Sequence, residues 1–167
     1  MSRTTILGLA GASVAAALIF TAQAKPLMEA NISSEDALVA YDAAIAECKK
    51  SNSNDITVVV VDRAGQVAFM ARADNAALHN LDLARRKAYT ARTFRTSTTQ
   101  WRDRSAGAQA AAGQRMLADV IPLGGGMPIM IGQDAIGGIG VSGSNGGQPG
   151  DEACAKAGAD AVAAAAR

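Results

Sequence analysis

The chain has 167 residues, 49% of them hydrophobic, with 16 basic and 15 acidic side chains. That length accommodates one ordinary domain with a core of its own. The near-neutral charge argues against a nucleic-acid binder or a polybasic membrane ligand.

In chain order, residues 1–24 read as a secretory signal. Arg3 gives a positive start, "ILGLAGASVAAALIF" (6–20) an apolar stretch and "AQA" (22–24) a small-x-small cleavage site. The apolar stretch is shorter than the roughly 18–20 residues that span a bilayer, and Lys25 and Pro26 close it, so an uncleaved anchor is the lesser alternative. Cleavage after Ala24 then gives a periplasmic or secreted chain with no stable membrane span. It leaves a short lead (25–30) and a single domain (31–167).

Ser33, Ser34, Glu35 and Asp36 resemble a capping box, and Leu38, Tyr41, Ile45 and Cys48 follow at helical spacing, predicting a helix over 34–50. "ITVVVV" (56–61) is β-branched without polar alternation and reads as a strand buried on both faces. Residues 62–65 turn at Gly65. "QVAFMAR" (66–72) then alternates, with Val67, Phe69 and Ala71 on one face and Ala68, Met70 and Arg72 on the other, completing a hairpin.

A helix is expected over 78–95, with Leu81, Ala84, Ala88 and Ala91 as its inner stripe. The small alanines imply a close approach to its partner. A looser helical region (97–117) precedes two strands, 124–132 and 135–143, turned at Gln133 and Asp134. A loop (144–150) and a helix opening with Asp151 and Glu152, acids suited to its dipole, finish the chain. Hairpins with helices between and around them predict an α+β domain on an antiparallel sheet.

"GIGVSG" (138–143) spells the dinucleotide fingerprint G-x-G-x-x-G. Its context fails: the glycines lie inside a strand, and no parallel strand follows to complete a βαβ unit. A strand stripped of side chains instead points to close approach by a helix or ligand. Cys48 and Cys154 form no C-x-x-C and have no histidine nearby, which argues against zinc. In an oxidising compartment they either bridge or remain two thiols.

"VVVVDRAGQVAFMARADNA" (58–76), "ARRKAYTARTFRTST" (84–98), "GGGMPIMIG" (124–132) and "IGGIGVSGSNGGQPGDEACA" (136–155) resemble, in order, the motifs of the GlcG/HbpS-like family. These are a V-V-D-x-x-G hairpin, an R-x-D loop, a K-A-x-T-A helix, a G-G-x-P strand and G-x-I-G-V-S-G running into D-E. The resemblance covers about 31–167. It implies a profilin-like α+β fold, an antiparallel sheet with the N- and C-terminal helices on one face. It also implies a homo-oligomer (octamers occur in the family) and, as in several members, a haem ligand. Terminal helices side by side would bring Cys48 and Cys154 near each other, favouring the bridge.

Haem requires an apolar slot, an axial donor and cations for its propionates. His79, the only histidine, is the candidate iron ligand, against a plain surface or capping role. Arg72, Arg85 and Lys87 are candidate carboxylate contacts, with Arg72 alternatively paired to Asp74. Met70, Met127, Met130 and Tyr89 are weaker donors, the methionines reading as core filler.

The expected function is therefore an exported haem carrier, sensor or haem-handling protein. One alternative is a lyase- or isomerase-type enzyme for a small carboxylate. In it Lys87 holds the acid and Asp74 acts as base, near Asp62, Thr90 and Ser142. Another is an oligomeric accessory to a membrane sensor or transporter.

Overall fold

The structure is a computed structural model that describes residues 24–166. The expected signal therefore lies outside the described residues, apart from Ala24. Helix α1 (Ser34–Lys50) is followed by β1 (Thr57–Asp62), β2 (Val67–Arg72), α2 (Asn80–Phe94) and α3 (Thr98–Arg104). A 3-10 turn (Ala112–Met116), β3 (Gly126–Ile131), β4 (Asp134–Ser142) and α4 (Gly147–Ala165) complete the order. The strands form one antiparallel sheet, β2-β1-β4-β3.

The sheet is sandwiched between helices. Val58 and Val60 of β1 face a core built with Ala37, Ala40, Ala44 of α1 and Ala155, Ala159, Val162 of α4. Val59 and Val61 face the opposite way, onto Ala84 and Ala88 of α2. The N- and C-terminal helices thus share one face, as expected, and α2 covers the other. A fully apolar strand is the consequence of having helices on both sides.

Small residues set the spacing. A side chain at Gly140 would collide with the carbonyl of Ala84, and one at Gly138 would stand 2.5 Å from that of Ala88. Gly158 does the same between α4 and α1, where a Cβ would meet the Ala40 carbonyl at 2.5 Å. The bare strand read from the sequence is therefore the seat of the alanine face of α2. Cys48 and Cys154 form a disulfide that joins α1 to α4.

Four local expectations need correction. First, β2 does not alternate cleanly. Val60 pairs with Phe69 but Val61 with Val67, leaving Ala68 as an extra residue, so Ala68 and Phe69 both pack on the α1 side. Second, the β3–β4 turn is Gly132 and Gln133, since Asp134 already pairs with Ile131; Gly132 takes the positive φ of 59° that the turn needs. Third, α4 starts at Gly147 and has no acid in its first turn. Pro149 sits where a helix tolerates a missing N–H. Fourth, Leu81 of α2 faces outward, leaving Ala84, Ala88 and Ala91 as the buried stripe.

Candidate functional site

The R-x-D loop and the start of α2 come together at one corner. Arg72 pairs across the sheet with Thr57, and Thr57 with Ser142. The Ser142 hydroxyl donates to Asn80 Oδ1 at 3.1 Å, a buried bond that pins the first turn of α2 to the same end of the sheet. Between them the chain turns tightly, with Ala76 N donating to the Ala73 carbonyl and Asn80 N to the Ala77 carbonyl, both at 3.0 Å.

His79 occupies the N-cap position of α2. Its carbonyl accepts from Leu83 N at 3.0 Å, but its imidazole makes no capping bond. Arg72, Asp74 and His79 are all exposed, beside Leu78, which is 88% exposed. The ion pair considered between Arg72 and Asp74 is not among those of the described residues.

Farther along α2 the remaining candidates face other groups of the protein. Arg85 bonds Asp119 at 2.7 Å and Asp82 at 3.2 Å. The bond to Asp119, above all, raises its pKa. Lys87 is buried, its Nζ 2.7 Å from Asp151 and 2.9 Å from the Val141 carbonyl. The carboxylate that Lys87 holds is thus the protein's own. Thr90 is buried too, its hydroxyl accepting from Ile121 N at 2.9 Å. These three side chains fasten the 119–121 segment, β4 and α4 to α2.

Of the weaker candidates, Met70 is exposed on β2, Met127 packs on the core and Tyr89 lies against Gly65. Asp62 accepts from Gln66 N within its own turn, and the Ser142 hydroxyl is committed to Asn80. Neither is presented beside Asp74 and Lys87 as a single acid pocket.

The sheet order places the R-x-D loop on the β2 edge and the G-G-x-P strand, β3, on the opposite edge. Two strands lie between them, so the edges are about 14 Å apart at the usual strand spacing.

Asp151 was missed as a functional partner. It joins Lys87 from 64 positions away and also accepts from Ser144 N at 2.9 Å. The available signal was Lys87 itself, a charge on the alanine face of α2 that burial obliges to find a carboxylate. Among the described residues, no group of three or more His, Cys, Asp or Glu is arranged to hold a metal ion. No helix among them is long and apolar enough to cross a membrane.

Comparison with known proteins adds the family context. Residues 32–160 match the family model described as "Haem degrading protein HbpS-like". No curated protein matches in sequence. Among solved structures, a double mutant of Streptomyces reticuli HbpS is 31% identical, with a TM-score of 0.71, covering 90% of this chain and 97% of that one. The PduOC–haem complex is 26% identical, with a TM-score of 0.70, covering 78% of this chain and 94% of that one. Klebsiella pneumoniae ORFY, at 24% identity and a TM-score of 0.77, covers 86% of this chain and 99% of that one and shares the fold.

Proposed function

The chain belongs to the HbpS-like family, and from that premise we propose that it is a haem-binding or haem-handling protein. The observation that carries this reading is the likeness to a relative solved as a haem complex, over nearly all of that relative's length.

The corner at the start of α2 supports this reading with an imidazole, apolar surface and a cation. His79 is an exposed imidazole without a capping bond, free to offer a ring nitrogen to iron. Leu78 and Leu81 supply exposed apolar surface beside it. Arg72, which has no ion pair among the described residues, can meet a propionate. Haem, when bound, supplies the iron centre; binding, orientation and charge matching fall to these side chains. Arg85, Lys87 and Thr90 contribute by holding α2 in place, because their polar groups are engaged within the protein.

The corner lies open to solvent, and a haem buries most of its surface in a slot. We therefore place the second wall of the slot on another copy of the chain. Val67 and Met70, 43% and 53% exposed on the edge strand β2, support self-assembly at this edge. The disulfide suits an oxidising compartment and supports reading residues 1–24 as an export signal.

Titration of the purified protein with hemin tests the reading. A saturable Soret band that His79→Ala shifts or abolishes is expected. A spectrum that stays that of free hemin would overturn haem binding, and a band unchanged in the variant would remove His79 as ligand.

A further inference from the structure

Two of the open volumes on the surface of the described residues bear on ligand binding. One, about 370 Å³ between α3 and α4, has its polar groups engaged already: Thr99 bonds Glu152, Arg102 bonds Gln148 at 3.1 Å and Lys156 bonds Asp160 at 2.5 Å. The other, about 570 Å³, lies where the N-terminal lead crosses the β1–β2 turn near the end of α2. Leu27, Glu29, Asn31, Arg63, Ala64 and Arg92 line it.

Arg92 is the unusual member. It takes part in no ion pair among the described residues, and its Nε is buried without a hydrogen-bond partner. Gly138 leaves room for the start of its side chain; a Cβ there would stand 3.0 Å from the Arg92 Cβ. Burial lowers its pKa, with Arg63 and Arg95 adding repulsion and Asp62 and Glu29 opposing them. A guanidinium nevertheless stays charged at physiological pH. A partly desolvated guanidinium that lines the pocket and has no ion pair among the described residues is prepared for an anion.

The other walls indicate which anion. Arg63 holds the Glu29 carboxylate at 2.8 Å, with Asp134 farther off at 3.9 Å. Asn31 Oδ1 accepts from Ile32 N and Arg63 N at 3.0 and 2.8 Å, leaving its amide Nδ2 as a donor on the same wall. Leu27 and Ala64 provide apolar surface for a short carbon body. A carboxylate matches the guanidinium fork with one charge, whereas phosphate would set more negative charge against Glu29.

We propose that this pocket is a second ligand site that takes a small carboxylate, anchored by the Arg92 guanidinium. It is separate from the His79 corner: the two residues stand at opposite ends of α2, about 20 Å apart at the helical rise. The site does not depend on the haem reading.

Nuclear magnetic resonance of the arginine Nε–Hε groups tests it, with butyrate or inorganic phosphate added at constant ionic strength. The Arg92 signal is expected to shift saturably with butyrate, and Arg92→Gln to weaken butyrate binding at least tenfold at an unchanged melting temperature. Arg92→Lys should retain part of the affinity, and His79→Ala all of it. An Arg92 signal that responds to butyrate no more than to sodium chloride would overturn the site. So would undiminished binding in Arg92→Gln, and saturation by phosphate but not butyrate would overturn the carboxylate assignment. If Arg92→Gln does not fold, the wild-type titration decides.

Discussion

Lys87 and Asp151 form a buried ion pair between α2 and α4, with side chains only 2% and 6% exposed and 2.7 Å between Nζ and the carboxylate. Each has a further bond, Lys87 to the Val141 carbonyl and Asp151 from Ser144 N, so neither charge is left with water as its only alternative. Gly125 lies against the pair, where a Cβ would be 2.6 Å from that of Asp151 and 2.9 Å from Nζ. This relationship turns a family motif lysine into a structural fastener.

Removing one partner strands the other. Lys87→Met and Asp151→Leu are each expected to cost about 3–5 kcal/mol, and the double variant less than the sum, since it buries no lone charge. Urea denaturation of the three variants, read as a double-mutant cycle, measures both the cost and the coupling.

The disulfide makes a separate contribution. Replacing Cys48 and Cys154 by serine is expected to lower stability by about 2–5 kcal/mol, toward the upper end because the closed loop is long. Melting with and without reductant should shift the native protein and leave the serine variant unmoved.

Packing between sheet and helix leaves no room at Gly140. Gly140→Ala is expected to destabilise by about 3 kcal/mol or more, beyond ordinary overpacking, because its Cβ meets the backbone of α2 and not a movable side chain. Gly132→Ala meets no atom, but its positive φ costs about 1 kcal/mol. Comparing the two in thermal denaturation separates crowding from backbone strain.

For the proposed haem corner, Arg72→Gln is expected to weaken hemin binding about tenfold while keeping the Soret position. Loss of a charge-assisted bond changes affinity by that order but leaves the iron ligand in place. A shifted band would instead assign Arg72 to the iron environment.

Export predicts a mature chain beginning at Lys25 with both cysteines oxidised. Intact-mass measurement of protein recovered from the periplasm or medium, before and after reduction and alkylation, reads both features together.

Local signals carried much of the fold. Ser33 accepts from Asp36 N as the capping pattern suggests, and α1 ends at Lys50 before the polar run. The unbroken apolar run of β1 was enough to imply burial on both faces. The missing side chains at Gly138 and Gly140, together with the alanine stripe, were enough to imply close approach. What was not legible depended on partners far along the chain. The extra residue Ala68 is defined only by pairing against Val60 and Val61. Asp151 reads locally as a helix-terminal acid, and only the fold shows that it neutralises Lys87. The candidate corner was half legible: Arg72 and His79 were named by type and motif. The bond between Ser142 and Asn80 that brings strand end and helix start together spans 62 positions and has no local signature.

All four strands, together with α2 and α3, lie between Cys48 and Cys154 in the chain. Covalently, then, the sheet is carried on a ring, and the N-terminal lead, most of α1 and the last turns of α4 hang from it as tails. A single backbone cut anywhere in that ring, for example in the 105–111 connection after α3, opens it without releasing a fragment. The nicked protein remains one molecule until its sulfurs are reduced, a durability that follows from the way its two end helices are tied.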